Sequence, residues 1–159
     1  MTLASSLRDD FRSADLVPEL IVSNLERSLR FWCGLLGFRV VYERADEAFA
    51  YLEMRRAQVM LSSQAGMDRW ITGALEHPFG RGLNLQIAVE DIAAPLARLR
   101  DDGWQLHFAP EEKWYRAGDV ETGVLQFAVA DPDGYLVRLS QSLGQRAIAS
   151  RSAIAGPAH

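Results

Sequence analysis

With 159 residues, 48% of them apolar and 24% charged, the chain is long enough to bury one proper core and argues against wholesale disorder. Its formal net charge of −4 and the lack of any Lys/Arg run argue against a nucleic-acid backbone as main partner, because phosphate neutralisation needs a basic patch. The single cysteine, Cys33, rules out an intrachain disulfide framework and points to a reducing, cytoplasmic compartment; without an apolar signal core or a run of 18 apolar residues, neither secretion nor a membrane partner is expected.

Residues 1–15 are expected to be a flexible lead-in. "PELIV" (18–22) is a short β-rich run ending near Asn24, a helix N-cap, with Glu26 placed where the helix dipole favours negative charge. Leu25, Leu29, Trp32 and Leu36 recur at helical spacing, and Gly37 supplies the left-handed stop. "FRVVYE", "AFAYLEM" and "AQVMLSS" follow as strands; the Gly-containing stretch 64–82 then reads as a linker, either a ligand lid or a simple join. "LNLQIAV" (83–89) opens a second round: Asp91 caps a helix with Pro95 at the edge of its first turn, and Gly103 stops it. "WQLHFA", "VLQFAVA" and "YLVRLSQ" are the matching strands, 110–123 is expected as a charged and aromatic loop, and 143–159 as a flexible tail.

The second round repeats the first. "VSNLERSLRFWCGLLGF" (22–38) lies over "VEDIAAPLARLRDDGW" (89–104) with one deletion, and "FAYLEMRRAQVMLS" (49–62) over "FAVADPDGYLVRLS" (127–140) without a gap. The fold is therefore expected to be α+β: one domain over 16–142 made of two tandem βαβββ modules, 16–63 and 83–142, each an open curved mixed sheet covered by one helix.

Such a sheet has a covered face and an open one, and period-two alternation sorts its residues. Val59, Leu61, Leu83, Leu85, Ile87, Val89, Val137 and Leu139 are expected inward. Val17, Glu19, Ile21, Gln58, Met60, Ser62, Asn84, Gln86, Leu136, Arg138 and Ser140 are left on the open floors. Arg138 there would meet a ligand's carboxylate or carbonyl, or else pair with a carboxylate such as Glu19. Asn84, Gln86, Gln58 and Ser62 would bond ligand, water or a partner subunit. Phe38 and Trp104 open equivalent strands and suit core packing as well as a π-surface, with Phe49 and Trp70 as further aromatic candidates. Trp114, Tyr115 and Arg116 sit in a polar stretch that no core position explains, which favours ligand or subunit contact. Cys33, inside a helix with no histidine at a catalytic spacing, reads as a half-buried thiol.

The two repeated blocks, "VSNLERSLRFWCGLLGFRV" and "DPDGYLVRLSQ", resemble the vicinal oxygen chelate superfamily of glyoxalases, extradiol dioxygenases and bleomycin resistance proteins, over residues 16–142. Within it, "LVPELIVSNLERSLRFW" and "GDVETGVLQFAVADPDGYLVRLSQ" are most similar to the bleomycin-resistance branch. The resemblance implies metal-ligand positions on the first and last strands of each module, and these fall on Val17, Met60, Asn84 and Arg138. None is a good divalent-metal ligand: Val offers nothing, Met is soft, Asn is a weak neutral donor and Arg is permanently positive. The expectation is a protein with neither metal nor cofactor and without catalytic residues. It would be a homodimer whose clefts sequester a bleomycin-like or other flat aromatic small molecule, as in antibiotic resistance. The binding residues would be drawn from Arg138, Trp114, Tyr115, Arg116, Trp104, Phe38, Phe49, Asn84, Gln86 and Met60. The alternative is an enzyme of glyoxalase, dioxygenase or epimerase type.

Overall fold

The computed structural model describes residues 11–65 and 67–148, so the flexible ends expected at 1–10 and 149–159 lie outside the described residues. The first module runs β1 (Glu19–Val22), α1 (Leu25–Leu29), β2 (Arg39–Arg44), β3 (Phe49–Met54) and β4 (Ala57–Ser63). The second runs β5 (Asn84–Val89), α2 (Ala93–Asp101), β6 (Leu106–Ala117), β7 (Val120–Ala130) and β8 (Leu136–Ala147). They form two four-stranded sheets, ordered β1-β4-β3-β2 and β5-β8-β7-β6. In each, the first strand lies parallel to the fourth and the remaining pairs are antiparallel. This is the expected α+β plan of two tandem βαβββ modules.

Local chemistry explains the helices. Asn24, in an extended conformation, accepts from the Arg27 N–H at 2.8 Å and so satisfies one orphan donor of α1. After Leu29 the helix widens into a π-helical stretch, Arg30–Leu36, closed by Gly37 at φ 97°. The wider winding turns Phe31 and Leu35 inward together with Trp32 and Leu36, more than the simple stripe predicts. Asp91 accepts from the Ala93 N–H at 2.8 Å and Gly103 (φ 72°) ends α2.

One core serves both modules. Leu20, Val22, Leu52, Val59 and Leu61 from the first sheet, and Ile87, Phe127, Val129, Val137 and Leu139 from the second, join Phe31, Trp32 and Leu99 in a single buried cluster. Leu83 departs from expectation: it precedes β5 and is 45% exposed.

The β7–β8 turn ties the modules together. Buried Asp131 accepts from the backbone N–H of Asp133 and Tyr135 at 3.0 and 2.9 Å and from the Trp32 indole of the first module at 3.2 Å. Asp133 accepts from the Ser23 N–H and hydroxyl, and the Tyr135 hydroxyl donates to the Ile21 carbonyl at 3.1 Å. Arg98 of α2 donates to the Leu35 carbonyl at 2.8 Å and to the Leu36 carbonyl, satisfying groups that the end of the first helix leaves free. The linker contributes as well: Phe79 N–H donates to the Asp133 carbonyl at 2.7 Å.

Two expectations are corrected. The segment 110–123 is not a loop but a hairpin of β6 and β7, closed by Gly118-Asp119 with Gly118 at φ 66°. β8 runs on past 142 to Ala147, pairing with Val120 of β7. Both strands are solvated on two sides there, so the sequence shows no apolar alternation to mark them.

Candidate functional site

Strand alternation leaves each sheet one face turned away from the shared core, and the ladders show which residues stand side by side on it. On the first sheet one row is Glu19, Met60, Tyr51 and Tyr42; the next is Ile21, Ser62, Phe49 and Arg44. The corresponding rows of the second sheet are Gln86, Arg138, Ala128 and Phe108, then Ala88, Ser140, Gln126 and Glu111. Thus Glu19 corresponds to Gln86 and Met60 to Arg138. The ungapped match of Phe49 with Phe127 does not survive: Phe49 corresponds to Gln126, because the turn between β7 and β8 is longer than that between β3 and β4.

The first face is aromatic and acidic. Tyr42 stacks on Tyr51 with centroids 5.2 Å apart, and the Arg44 guanidinium lies 3.6 Å over the Phe49 ring. The Ser62 hydroxyl donates to Glu19 at 2.6 Å. A hollow of about 460 Å³ opens here, lined by Glu19, Glu47, Phe49, Met60 and, from the linker, Met67 and Trp70. Gln58 anchors the chain's lead-in beside it, accepting from Ala14 N–H and the Tyr51 hydroxyl and donating to the Arg12 carbonyl at 2.8 Å. Phe11 meets the Tyr51 ring edge-on at 5.4 Å. Where flexibility was expected for 11–15, the structure shows these ties.

The second face is a polar network around Arg138. Its guanidinium donates to the Gln86 carbonyl oxygen at 2.5 Å and, at 3.5 Å, to that of Gln126. The Gln126 amide nitrogen donates to Glu111 at 3.0 Å and to the Tyr115 hydroxyl oxygen at 2.9 Å. The pairing of Arg138 with Glu19 or another carboxylate, open from sequence, is not the arrangement found: neutral amides hold it.

The expected site residues therefore divide. Arg138, Gln86 and Tyr115 come together on the second face; Met60 and Phe49 lie on the first; Asn84 is exposed at the start of β5. Phe38 is buried against Trp32 at 5.2 Å. Trp104 packs on Phe31 at 4.9 Å and donates to the Ala130 carbonyl at 3.0 Å; both are held by the shared core rather than a floor. Trp114 lies on the opposite side of β6 from Tyr115, over Gly123, with the Arg146 guanidinium 4.0 Å from its ring. Arg116 donates to the Gly118 carbonyl in the hairpin turn. Gln126, Phe108, Tyr42 and Tyr51 were missed as site residues; the strand ladders are what set them beside Arg138 and Met60.

The donor set does not suit a divalent cation. Val17 packs as an apolar residue beside Met60, Asn84 is a lone amide, and Arg138 carries a fixed positive charge. Among the described residues no three His, Cys, Asp or Glu side chains gather into a candidate cluster. Cys33 is no better as a nucleophile: burial, with Glu43 nearby, pushes its thiol up to about 11. No helix among the described residues is long and apolar enough to cross a membrane.

Comparison with known proteins agrees with this architecture. A "Probable lactoylglutathione lyase" of Synechocystis sp. is 28% identical over 134 residues, spanning 79% of this chain and 92% of that protein. Among solved structures, TioX from Micromonospora sp. ML1 superposes with a TM-score of 0.62 at 19% identity, covering 82% of this chain and 100% of that one. Lactoylglutathione lyase from Agrobacterium tumefaciens gives 0.55 at 15% identity, with 82% and 94% covered; at such identities these likenesses speak for the fold alone. The family model for the Glyoxalase/Bleomycin resistance protein/Dioxygenase superfamily matches residues 16–139, and the chain belongs to that superfamily.

Proposed function

We propose that the protein binds a small planar molecule without chemical change, in clefts formed when the open faces of two copies come together. The observation that carries this reading is Arg138: at a position where the superfamily's metal enzymes place a ligand, this chain holds a guanidinium fixed by two amides. A site so built grips through hydrogen bonds and π-surfaces and has no Lewis acid to activate what it holds. Dimerisation is supported by the geometry of the faces, which point away from a shared core and so cannot close on each other within one chain. Tyr42 and Trp70 on one face and Phe108 and Tyr115 on the other offer flat partners for such a ligand, whereas Phe49 and Tyr51 are buried under Arg44, Tyr42 and Phe11. Sequestration of a bleomycin-type drug in the cytoplasm is the specific form of this reading.

Two measurements test it. Protein purified without chelator should carry well under one equivalent of zinc, nickel, manganese or iron, and metal-free bleomycin or another planar ligand should quench tryptophan fluorescence saturably. One tightly held metal per chain overturns the reading. The likeness to the Synechocystis protein favours a second possibility, a glyoxalase-like lyase. Turnover of lactoylglutathione by the protein supplemented with Zn²⁺ or Ni²⁺ would establish it.

A further inference from the structure

We propose that the open face of the second sheet is an oxyanion subsite, and that the ligand carries a carboxylate or similar monoanionic group received by Arg138, Gln86 and Tyr115. This rests on the reading that the open faces are the ligand surfaces, and adds the chemical class of what they hold.

The argument is one of hydrogen-bond accounting. The Arg138 guanidinium is fixed by two neutral acceptors and makes no ion pair among the described residues. Its Nε is buried and without a partner, while each terminal nitrogen bonds a single amide oxygen and so keeps a second hydrogen to give. A half-buried cation with uncompensated charge is a standing recognition element for a planar oxyanion, which the fork matches through parallel bonds.

The surrounding groups are oriented to donate. Gln126 gives its amide hydrogens to Glu111 and Tyr115, which turns its carbonyl oxygen toward Arg138. The Tyr115 oxygen already accepts from Gln126, so its hydroxyl hydrogen is left to give. Gln86 has its carbonyl on Arg138, which leaves its amide hydrogens to give. Glu111, the one carboxylate in the network, stands a row away with Gln126 interposed.

The asymmetry between the two sheets favours the same conclusion. Beside Arg138 the row continues with Ala128 and Phe108, where the first sheet has Tyr51 and Tyr42 beside Met60. Ala128 is itself fully buried in this row, and half-buried Phe108 gives an apolar surface for the body of an aromatic acid. Nothing equivalent exists on the first face, whose matching row carries Glu19.

The test uses the full chain labelled uniformly with ¹⁵N, titrated with benzoate and with its neutral isostere benzamide at constant chloride. Benzoate should shift and saturate the Arg138 Nε–H resonance, with benzamide at least about tenfold weaker. Arg138→Gln should abolish the benzoate response seen at the Gln86 side chain, and Arg138→Lys, which keeps the charge but loses the fork, should weaken it about tenfold. Equal responses to benzoate and benzamide would overturn the anion preference while leaving ligand binding at this face intact. Silence of the face toward benzoate, benzamide and metal-free bleomycin alike would remove both proposals. Dissociation of the dimer by Arg138→Gln, in a wild type that ignores benzoate, would overturn the subsite and make the guanidinium a tie between subunits.

Discussion

Asp131 does its structural work at a cost that depends on pH. Burial is the largest influence on its carboxyl and pushes it up to about 6, against the lowering effect of bonds from Tyr135, Trp32 and Asp133. The folded state therefore holds this proton more tightly than the unfolded chain, whose carboxyl titrates near the ordinary value of 3.8. The stabilisation from that proton is fully present below about pH 4 and is lost as pH rises through about 6, a swing of roughly 3 kcal/mol for about two units. Asp131→Asn has no such dependence, although with its oxygen kept on the Asp133 and Tyr135 N–H groups its amide nitrogen cannot accept from the Trp32 indole. Denaturant unfolding of both proteins from pH 4 to 7 should show the wild type's stability, relative to the variant, falling with pH; a flat or rising difference would refute the assignment. Cys33 gives a second expectation at this scale. With its thiol near 11 rather than 9.0, the thiolate fraction at neutral pH is lower by roughly two orders of magnitude, so alkylation by iodoacetamide should be far slower in the native protein than in urea.

At the scale of elements, two glycines with nearly the same backbone separate conformation from packing. Gly134 in the β7–β8 turn (φ 93°) and Gly144 in β8 (φ 91°) are both left-handed. A Cβ on Gly134 would come within 2.4 Å of Pro78 Cβ and 2.6 Å of its Cα, whereas one on Gly144 meets nothing within 4 Å. Gly144→Ala should cost about 1 kcal/mol for the backbone alone, and Gly134→Ala about 3 kcal/mol or more, because the linker must also move. Urea midpoints of the two variants read the difference. The same turn shows what the sequence could convey. "DPDG" is made of turn residues, but the bonds of Asp133, Asp131 and the following Tyr135 to Ser23, Trp32 and Ile21 span about a hundred residues, and no local pattern encodes them. The helix cap at Asn24, the stop at Gly37 and the inward positions of Val59, Leu61, Val137 and Leu139 were legible because each follows from local geometry. Phe49 and Phe127 were not: the one extra turn residue shifts the register by one, and one step exchanges the faces of a strand. Gln126, the residue that aims Arg138, went unseen for that reason.

For the whole molecule, the consequence of a common core is cooperativity. A doubled sequence invites the picture of two modules that fold and melt independently. Here Trp32, fully buried, belongs to the first module yet bonds to Asp131 of the second, and Phe31 packs on Trp104 across the same boundary. Removing either module would expose the apolar inner face of the other sheet together with the helix between them, a loss that neither module's own contacts would offset. Thermal or urea unfolding should therefore be one transition, with tryptophan fluorescence and far-ultraviolet circular dichroism coincident. Trp32→Phe, which keeps an aromatic ring but removes the indole donor to Asp131, should lower the midpoint while leaving the transition single. Two resolved transitions in the wild type would mean that the modules are held together only loosely. The open faces would then not keep the fixed relation to each other that the proposed paired clefts demand, since each such cleft would take one face from either module.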